Sequence, residues 1–168
     1  MMTHPVRNGY SLAQIVLHWA VVVLVIAQYL GHDAMEDAWD TIRDGGTPSA
    51  ETLFGANMHA AIGATILVLA LIRLYLRFTR GAPPVPKENP APLRFVAKAT
   101  HVLLYALIIG LPLGGAAAWF FGVAPAAGVH SLGTKVLFFV AILHVLGALY
   151  EHFVAHTDVL KRMLRPEG

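Results

Sequence analysis

Long apolar runs separated by short polar connections organise this chain. Ser11 to Leu30 holds 20 residues without a charged side chain, enough to cross a bilayer's hydrocarbon core as an α-helix. Further runs lie at about Gly55–Tyr75, Ala99–Trp119 and Ala127–Phe153. The second is uncharged until Arg73, and the fourth carries Lys135 within it and Glu151 at its edge. Lipid offers backbone groups no water, so each run is predicted to be a helix. The predicted fold is all-α, an integral membrane four-helix bundle forming one domain over residues 1–168, with spans at about 11–30, 55–75, 99–119 and 127–153. Pro112, Gly114 and Gly115 predict a kink or a close helix contact in the third span. The first run ends in Gly31, His32 and Asp33 rather than in a small-residue cleavage site, so it is expected to be a retained span.

Composition agrees with a membrane protein. Hydrophobic residues make up 57% of the 168 and charged residues 13%, about half the charged share of soluble proteins. The absence of cysteine excludes disulfides, iron–sulfur clusters and thiolate metal sites. The net charge of +2 says less than where the charges lie. The connection from Gly31 to Phe54 holds Asp33, Glu36, Asp37, Asp40, Asp44 and Glu51 against Arg43. The connection from Arg77 to Lys98 holds Arg77, Arg80, Lys87, Arg94 and Lys98 against Glu88, and its GAPPVPKENPAP stretch predicts a stiff connector. Lys161, Arg162 and Arg165 add positive charge to the tail, and Arg7 does so near the start. Positive residues mark the cytoplasmic face. Both termini and the middle connection are therefore expected in the cytoplasm, with the acidic loop and the short Phe120–Ala126 connection outside.

Nine histidines are the candidate chemistry, and an ionisable side chain inside a span is a functional hypothesis by default. His130 and His144 are fourteen residues apart. At about 100° per residue they share a helix face, separated by roughly 21 Å along the axis. His59 lies four residues into the second span, level with His130, and His18 lies seven residues into the first, level with His144. Two level pairs on facing helices suit two haem irons, since neutral imidazole is a strong iron ligand and bundle cofactors are held between facing helices. Gly63 and Gly147 stand on their ligands' faces and would leave room for a porphyrin. Arg73 shares the face of His59 at the cytoplasmic level, where it suits a haem propionate, a quinone carbonyl or a position snorkelling to the interface. His152 and His101, at the cytoplasmic edge, are spare ligands, proton-exchanging groups for a quinone, or packed histidines. His4, His32 and His156 lie outside the spans. Lys135 meets a propionate or snorkels outward.

The segments LHWAVVVLVIAQYL from Leu17, NMHAAIGATILVLALIRLYLR from Asn57, THVLLYALIIGLPLGG from Thr100 and ILHVLGALYEHF from Ile142 carry a resemblance. Together they make the chain similar to the prokaryotic cytochrome b561 family, from about Tyr10 to Pro166. The same segments resemble the haem-b membrane subunits of nickel–iron hydrogenases and formate dehydrogenases. The resemblance implies a four-helix cytochrome with two haem b groups, His18 and His144 ligating the cytoplasmic-side iron and His59 and His130 the outer-side iron. It implies electron transfer between an outer-face (periplasmic) donor and the quinone pool, ubiquinone or another quinone, in the bacterial inner membrane. Some members oxidise superoxide. A lysine in the proline-rich loop and a histidine late in the last helix lie at their quinone site, and Lys87 and His152 match those positions.

The acidic outer loop departs from the basic outer surface that would attract superoxide, and it favours a cationic donor. The expected protein is thus an oxidoreductase, superoxide- or cytochrome-linked, or an electron-transfer protein without independent turnover. The alternative is a haem-b membrane anchor of a hydrogenase or dehydrogenase. A metal-ion transporter is disfavoured by the missing cysteines and because the only intramembrane carboxylate candidate is Glu151, at a span edge. Expected partners are membrane lipid, quinone and a periplasmic redox donor or large redox subunit, and no nucleic acid.

Overall fold

The computed structural model describes residues 9–84 and 90–166. Among them run six helices: α1 Leu12–Leu30, α2 Asp33–Arg43, α3 Ala50–Arg80, α4 Ala91–Phe121, α5 Ala124–Phe153 and α6 Val159–Arg162. Four of these, α1, α3, α4 and α5, are long and apolar enough to cross a membrane. The result is the expected all-helical membrane bundle. Lys87 lies outside the described residues.

The long helices overrun the expected spans. α3 and α4 are 31 residues each and α5 is 30, whereas crossing takes about 20. A helix satisfies its own backbone in lipid and in water, so it continues until a local signal stops it. Ser49 starts α3 by accepting the Thr52 backbone N–H at 3.1 Å. Pro92 in the first turn starts α4 well before the expected Ala99. The expected Phe120–Ala126 connection shrinks to Gly122 and Val123. Gly122 ends α4 in the left-handed region at φ 66°, a conformation glycine adopts without strain, and a proline in the first turn of α5 restarts the chain.

The acidic loop holds a helix that the apolar pattern did not predict. α2 has Asp33 and Glu36 in its first turn and Arg43 in its last, which suits the helix dipole. Arg43 also pairs with Asp40 at 3.0 Å. Ala34 and Ala38, four residues apart, form the inward stripe, and Ala38 is fully buried. α2 rests on α3 where Gly55 lacks a side chain: a Cβ there would lie 2.5 Å from the Ala34 Cβ.

Close packing runs from α1 to α3, α3 to α4 and α4 to α5, with α2 on α3 and α6 on α5. α5 has only sparse backbone contact with α1 and α3. Side chains bridge the gap, and the Tyr29 hydroxyl donates to the Thr134 carbonyl at 2.6 Å. At the other end the Trp19 indole N–H donates to the Met163 carbonyl at 2.9 Å, tying the tail to α1. Ile15, Val21, Ile66, Ala70, Leu111 and Leu137 are buried, yet among the described residues no large side chain is completely enclosed. Apolar residues such as Val23, Phe139 and Leu146 face outward, where lipid is their solvent.

Gly55→Ala should push α2 off α3. Overpacking of this kind costs about 1–3 kcal/mol. It should appear as lower thermal stability in detergent and faster proteolysis within α2. Unchanged cleavage would show that α2 does not rest on this contact.

Candidate functional site

Two imidazole pairs cross the gap beside α5. At the acidic end of the bundle, beneath α2, His59 of α3 faces His130 of α5 with ring centroids 6.3 Å apart. At the basic end, His18 of α1 faces His144 of α5, also at 6.3 Å. The pairings are those predicted by depth. Two imidazoles binding one metal from opposite sides put their ring centres roughly 6 Å apart, about 2 Å for each metal–nitrogen bond and the remainder from the half-width of each ring. The interplanar angles of 68° and 63° are open to such a pair, because axial rings turn freely about the common axis.

The acidic-end pair borders a cavity of about 1080 Å³, at or above the usual volume of small-molecule sites, about 300–1,000 Å³. Its inner wall includes Val25, Ile66 and Leu137, while Trp39 and Arg43 of α2 contribute to its outer wall. The His130 Nδ1–H donates to the Leu111 carbonyl at 2.8 Å, which leaves Nε2 with its lone pair for a metal. His59 Nδ1 is buried and has no hydrogen-bond partner among the described residues. A buried polar nitrogen left alone is costly. Among the described residues no group of three or more His, Cys, Asp or Glu side chains is placed to hold a bare ion. Paired axial imidazoles instead suit a metal whose other positions are filled by a planar macrocycle. The donor set, the spacing and the cavity therefore fit haem.

Neighbouring residues refine the expectations. The Gln28 side chain donates to the His59 carbonyl at 3.1 Å. A Cβ at Gly63 would lie 3.3 Å from that Gln28 amide, so Gly63 makes room for Gln28 as well as bordering the cavity. A Cβ at Gly147 would meet nothing within 4 Å. Lys135 also lines the acidic-end cavity. It has no carboxylate partner among the described residues. His32 sits at the same end, exposed beside Asp33 and Glu36.

A third imidazole joins the basic-end pair. His101 of α4 stands edge-on to His144 at 5.0 Å. Its Nδ1–H donates to the Ala97 carbonyl at 2.6 Å. Arg73 is near enough for its charge to act on His18, His101 and His144. His152 lies two turns beyond His144, with Nδ1 buried and unpartnered among the described residues. The counterpart expected in the proline-rich loop, Lys87, falls outside the described residues.

The model of the prokaryotic cytochrome b561 family matches residues 9–166. The chain belongs to the prokaryotic cytochrome b561 family. It is 37% identical over 158 residues to a cytochrome b562 of Cereibacter sphaeroides, covering 94% of this chain and 96% of the relative. It is 32% identical to a probable superoxide oxidase, CybB, of Yersinia pestis, covering 94% and 97%. A cytochrome b561 homologue of Escherichia coli K12 is 26% identical, covering 94% and 97%. Membership makes the chain a haem-b electron-transfer protein of the bacterial inner membrane, crossing it several times. Leu111, Gln28 and the whole of α2 escaped the sequence reading. The Gly114–Gly115 pair did signal a close contact, and the structure brings Gly115 against His130.

Tyr10, just before α1, joins the basic end. Burial raises its phenol above the usual 10.0, while Arg77, Arg73 and Arg162 pull the other way. A raised value means the fold favours the neutral phenol. That contribution is present below pH about 10 and disappears as pH climbs through the raised value. Tyr10→Phe should flatten the alkaline limb of a plot of Tm against pH. An unchanged limb would show that this phenol does not limit alkaline stability.

Proposed function

We propose that the chain is a two-haem conduit that takes electrons from a donor at the outer face and delivers them to a quinone at the cytoplasmic face. The observation that carries this reading is the pair of imidazole couples, each at 6.3 Å, set on one helix fourteen residues apart. Charge topology assigns the acidic end to the outside and both termini to the cytoplasm. His59 and His130 then ligate the outer iron, and His18 and His144 the cytoplasmic iron. Haem b supplies one-electron redox chemistry when bound; the chain supplies axial nitrogens, a dry interior and fixed orientation. Two histidines per iron leave no open position, which favours electron transfer over oxygen binding.

His152 is the proton-exchanging residue of the proposed quinone site. Its buried, unpartnered Nδ1 supports that role. Lys87 and Arg73 are proposed to contact the quinone head, Arg73 alternatively holding a propionate. The partners are membrane lipid, a quinone and a periplasmic donor. Two donors have support. The Yersinia pestis relative is named a probable superoxide oxidase, and Lys135 in the outer cavity offers an anion a positive charge. The acidic α2 beside that cavity instead suits a cationic donor protein.

Substituting His59 or His130 with alanine should remove one haem and leave the other, and His18 or His144 should do the converse. Haem content and reduced spectra of the folded variants check this. Loss of both haems from every single change would refute separate sites. His152→Ala should slow quinone reduction while haem content is unchanged, and normal turnover would remove it from the site. Anaerobic reduction by superoxide and by a basic soluble cytochrome, followed by reoxidation with ubiquinone, decides the donor. If neither donor reduces the haems, a large redox subunit becomes the source of electrons, and the chain would co-purify with it.

A further inference from the structure

Three residues around His130 form an arrangement that the ligand assignment leaves unexplained. Leu111 of α4 offers its carbonyl to the His130 Nδ1–H at 2.8 Å. Its side chain is buried in a notch of α5, where a Cβ on Gly133 would lie 2.6 Å from Leu111 Cδ2. Gly115, one turn further along α4, passes against one edge of the ring: a Cβ there would lie 3.0 Å from both Nδ1 and Cε1 of His130. The adjacent Gly114 and the earlier Gly110 would meet nothing within 4 Å. Of the glycines of α4 and α5, only Gly115 and Gly133 stand against a neighbouring side chain, and both lie beside this imidazole.

We propose that Leu111, Gly115 and Gly133 form a seat that fixes the orientation of His130 and thereby sets the reduction potential of the outer haem. The inference rests on His130 being an axial ligand of that haem. The Leu111 side chain in the Gly133 notch sets how α4 sits along α5. That register delivers the Leu111 carbonyl to Nδ1. The hydrogen bond selects the tautomer with Nε2 free and makes the imidazole a stronger donor to the metal. Gly115 lets the Nδ1–Cε1 edge of the ring approach α4 in the orientation that makes this bond. His59 has no matching bond at Nδ1 among the described residues, so the two ligands of one iron are unequal. These three are positioning residues and touch no reacting atom of a donor or quinone.

The test is redox titration and low-temperature EPR of the detergent-purified holoprotein carrying Gly115→Ala, with Gly114→Ala as control. An added methyl at position 115 must displace a ring held at Nδ1 and at the iron. Weakening the Leu111 bond makes the ligand a poorer donor and favours reduced iron. The expected shift of the outer haem is upward, about tenfold in its reduction equilibrium, which is about 59 mV for one electron. Its low-spin EPR signal should move with it, while the other haem keeps both its potential and its signal. Gly114→Ala should move neither. Selective loss of the outer haem from Gly115→Ala would support the seat equally, as displacement of the ring from the metal.

Unchanged potentials and signals in Gly115→Ala would overturn the proposal, as would an equal shift in Gly114→Ala. If Gly115→Ala fails to fold, the wild-type protein answers instead. With nitrogen-labelled histidine and reduced, diamagnetic haem, the His130 Nδ1 proton should be slow to exchange and shifted downfield, and a freely exchanging proton would sink the idea. His130→Ala separates the two failures. If it removes neither haem, the ligand assignment is wrong and the seat falls with it. If it removes one haem while Gly115→Ala changes nothing, the assignment stands and only the seat is wrong.

Discussion

Helices in direct contact stand about 8–10 Å apart, too close for two imidazoles and a metal between them. Everything particular to this bundle follows from keeping α5 at a greater distance from α1 and α3. The close packing leaves that space: α5 leans on α4, α1 leans on α3, and the gap is crossed by two histidine pairs and the Tyr29–Thr134 hydrogen bond. A close-packed interior would have large side chains completely enclosed, and among the described residues this bundle has none. An empty apolar cavity costs free energy in proportion to its volume. Haem bound there would act as core as well as cofactor, and its affinity for the folded state would add to the stability of the bundle.

The gap also explains the placing of small and polar residues. Gly63 admits Gln28, which ties α1 to α3 beside His59. Gly133 admits Leu111, which ties α4 to α5 beside His130. Each histidine of the acidic-end pair is therefore braced by a neighbouring helix. α2 closes that end through the Gly55–Ala34 contact, bringing Trp39 and Arg43 to the cavity wall. A soluble-looking acidic segment is in this way part of the membrane site.

How much of this the sequence disclosed depends on the range of each signal. The four spans are legible because twenty apolar residues have one solution in lipid. The pairing of His59 with His130 and of His18 with His144 is legible because helical rise turns residue number into depth. Both readings use only properties along one helix. Gly115 was visible as a small residue, but which neighbour it admits depends on how α4 turns against α5, and no single-helix period carries that. His101 was placed at the right end, yet its 5.0 Å approach to His144 is likewise a property of two helices. α2 was missed for a different reason. Its acidic residues dominate the local composition, and the stripe of Ala34 and Ala38 is too small to register as an apolar face until Gly55 is seen beneath it.

The layer between the two imidazole pairs bears on what can cross the membrane. Leu137 lies seven residues from both His130 and His144, and Ile66 lies seven residues from both His59 and Arg73. Seven residues come to nearly two turns, so each shares the face of the residues it separates. Both side chains are buried and apolar. On these faces nothing at mid-depth titrates, so these faces offer no side-chain relay for a proton. An electron needs no such relay and tunnels through the same dry layer. In the proposed conduit the core itself would separate the two charges: electrons would pass between the imidazole pairs, while protons for a quinone would enter from the end where the quinone binds. At the basic end stand His101, Arg73, His152 and Tyr10, and at the other the carboxylates of α2. The proposed conduit would therefore take up its protons at the basic end, whichever donor feeds it.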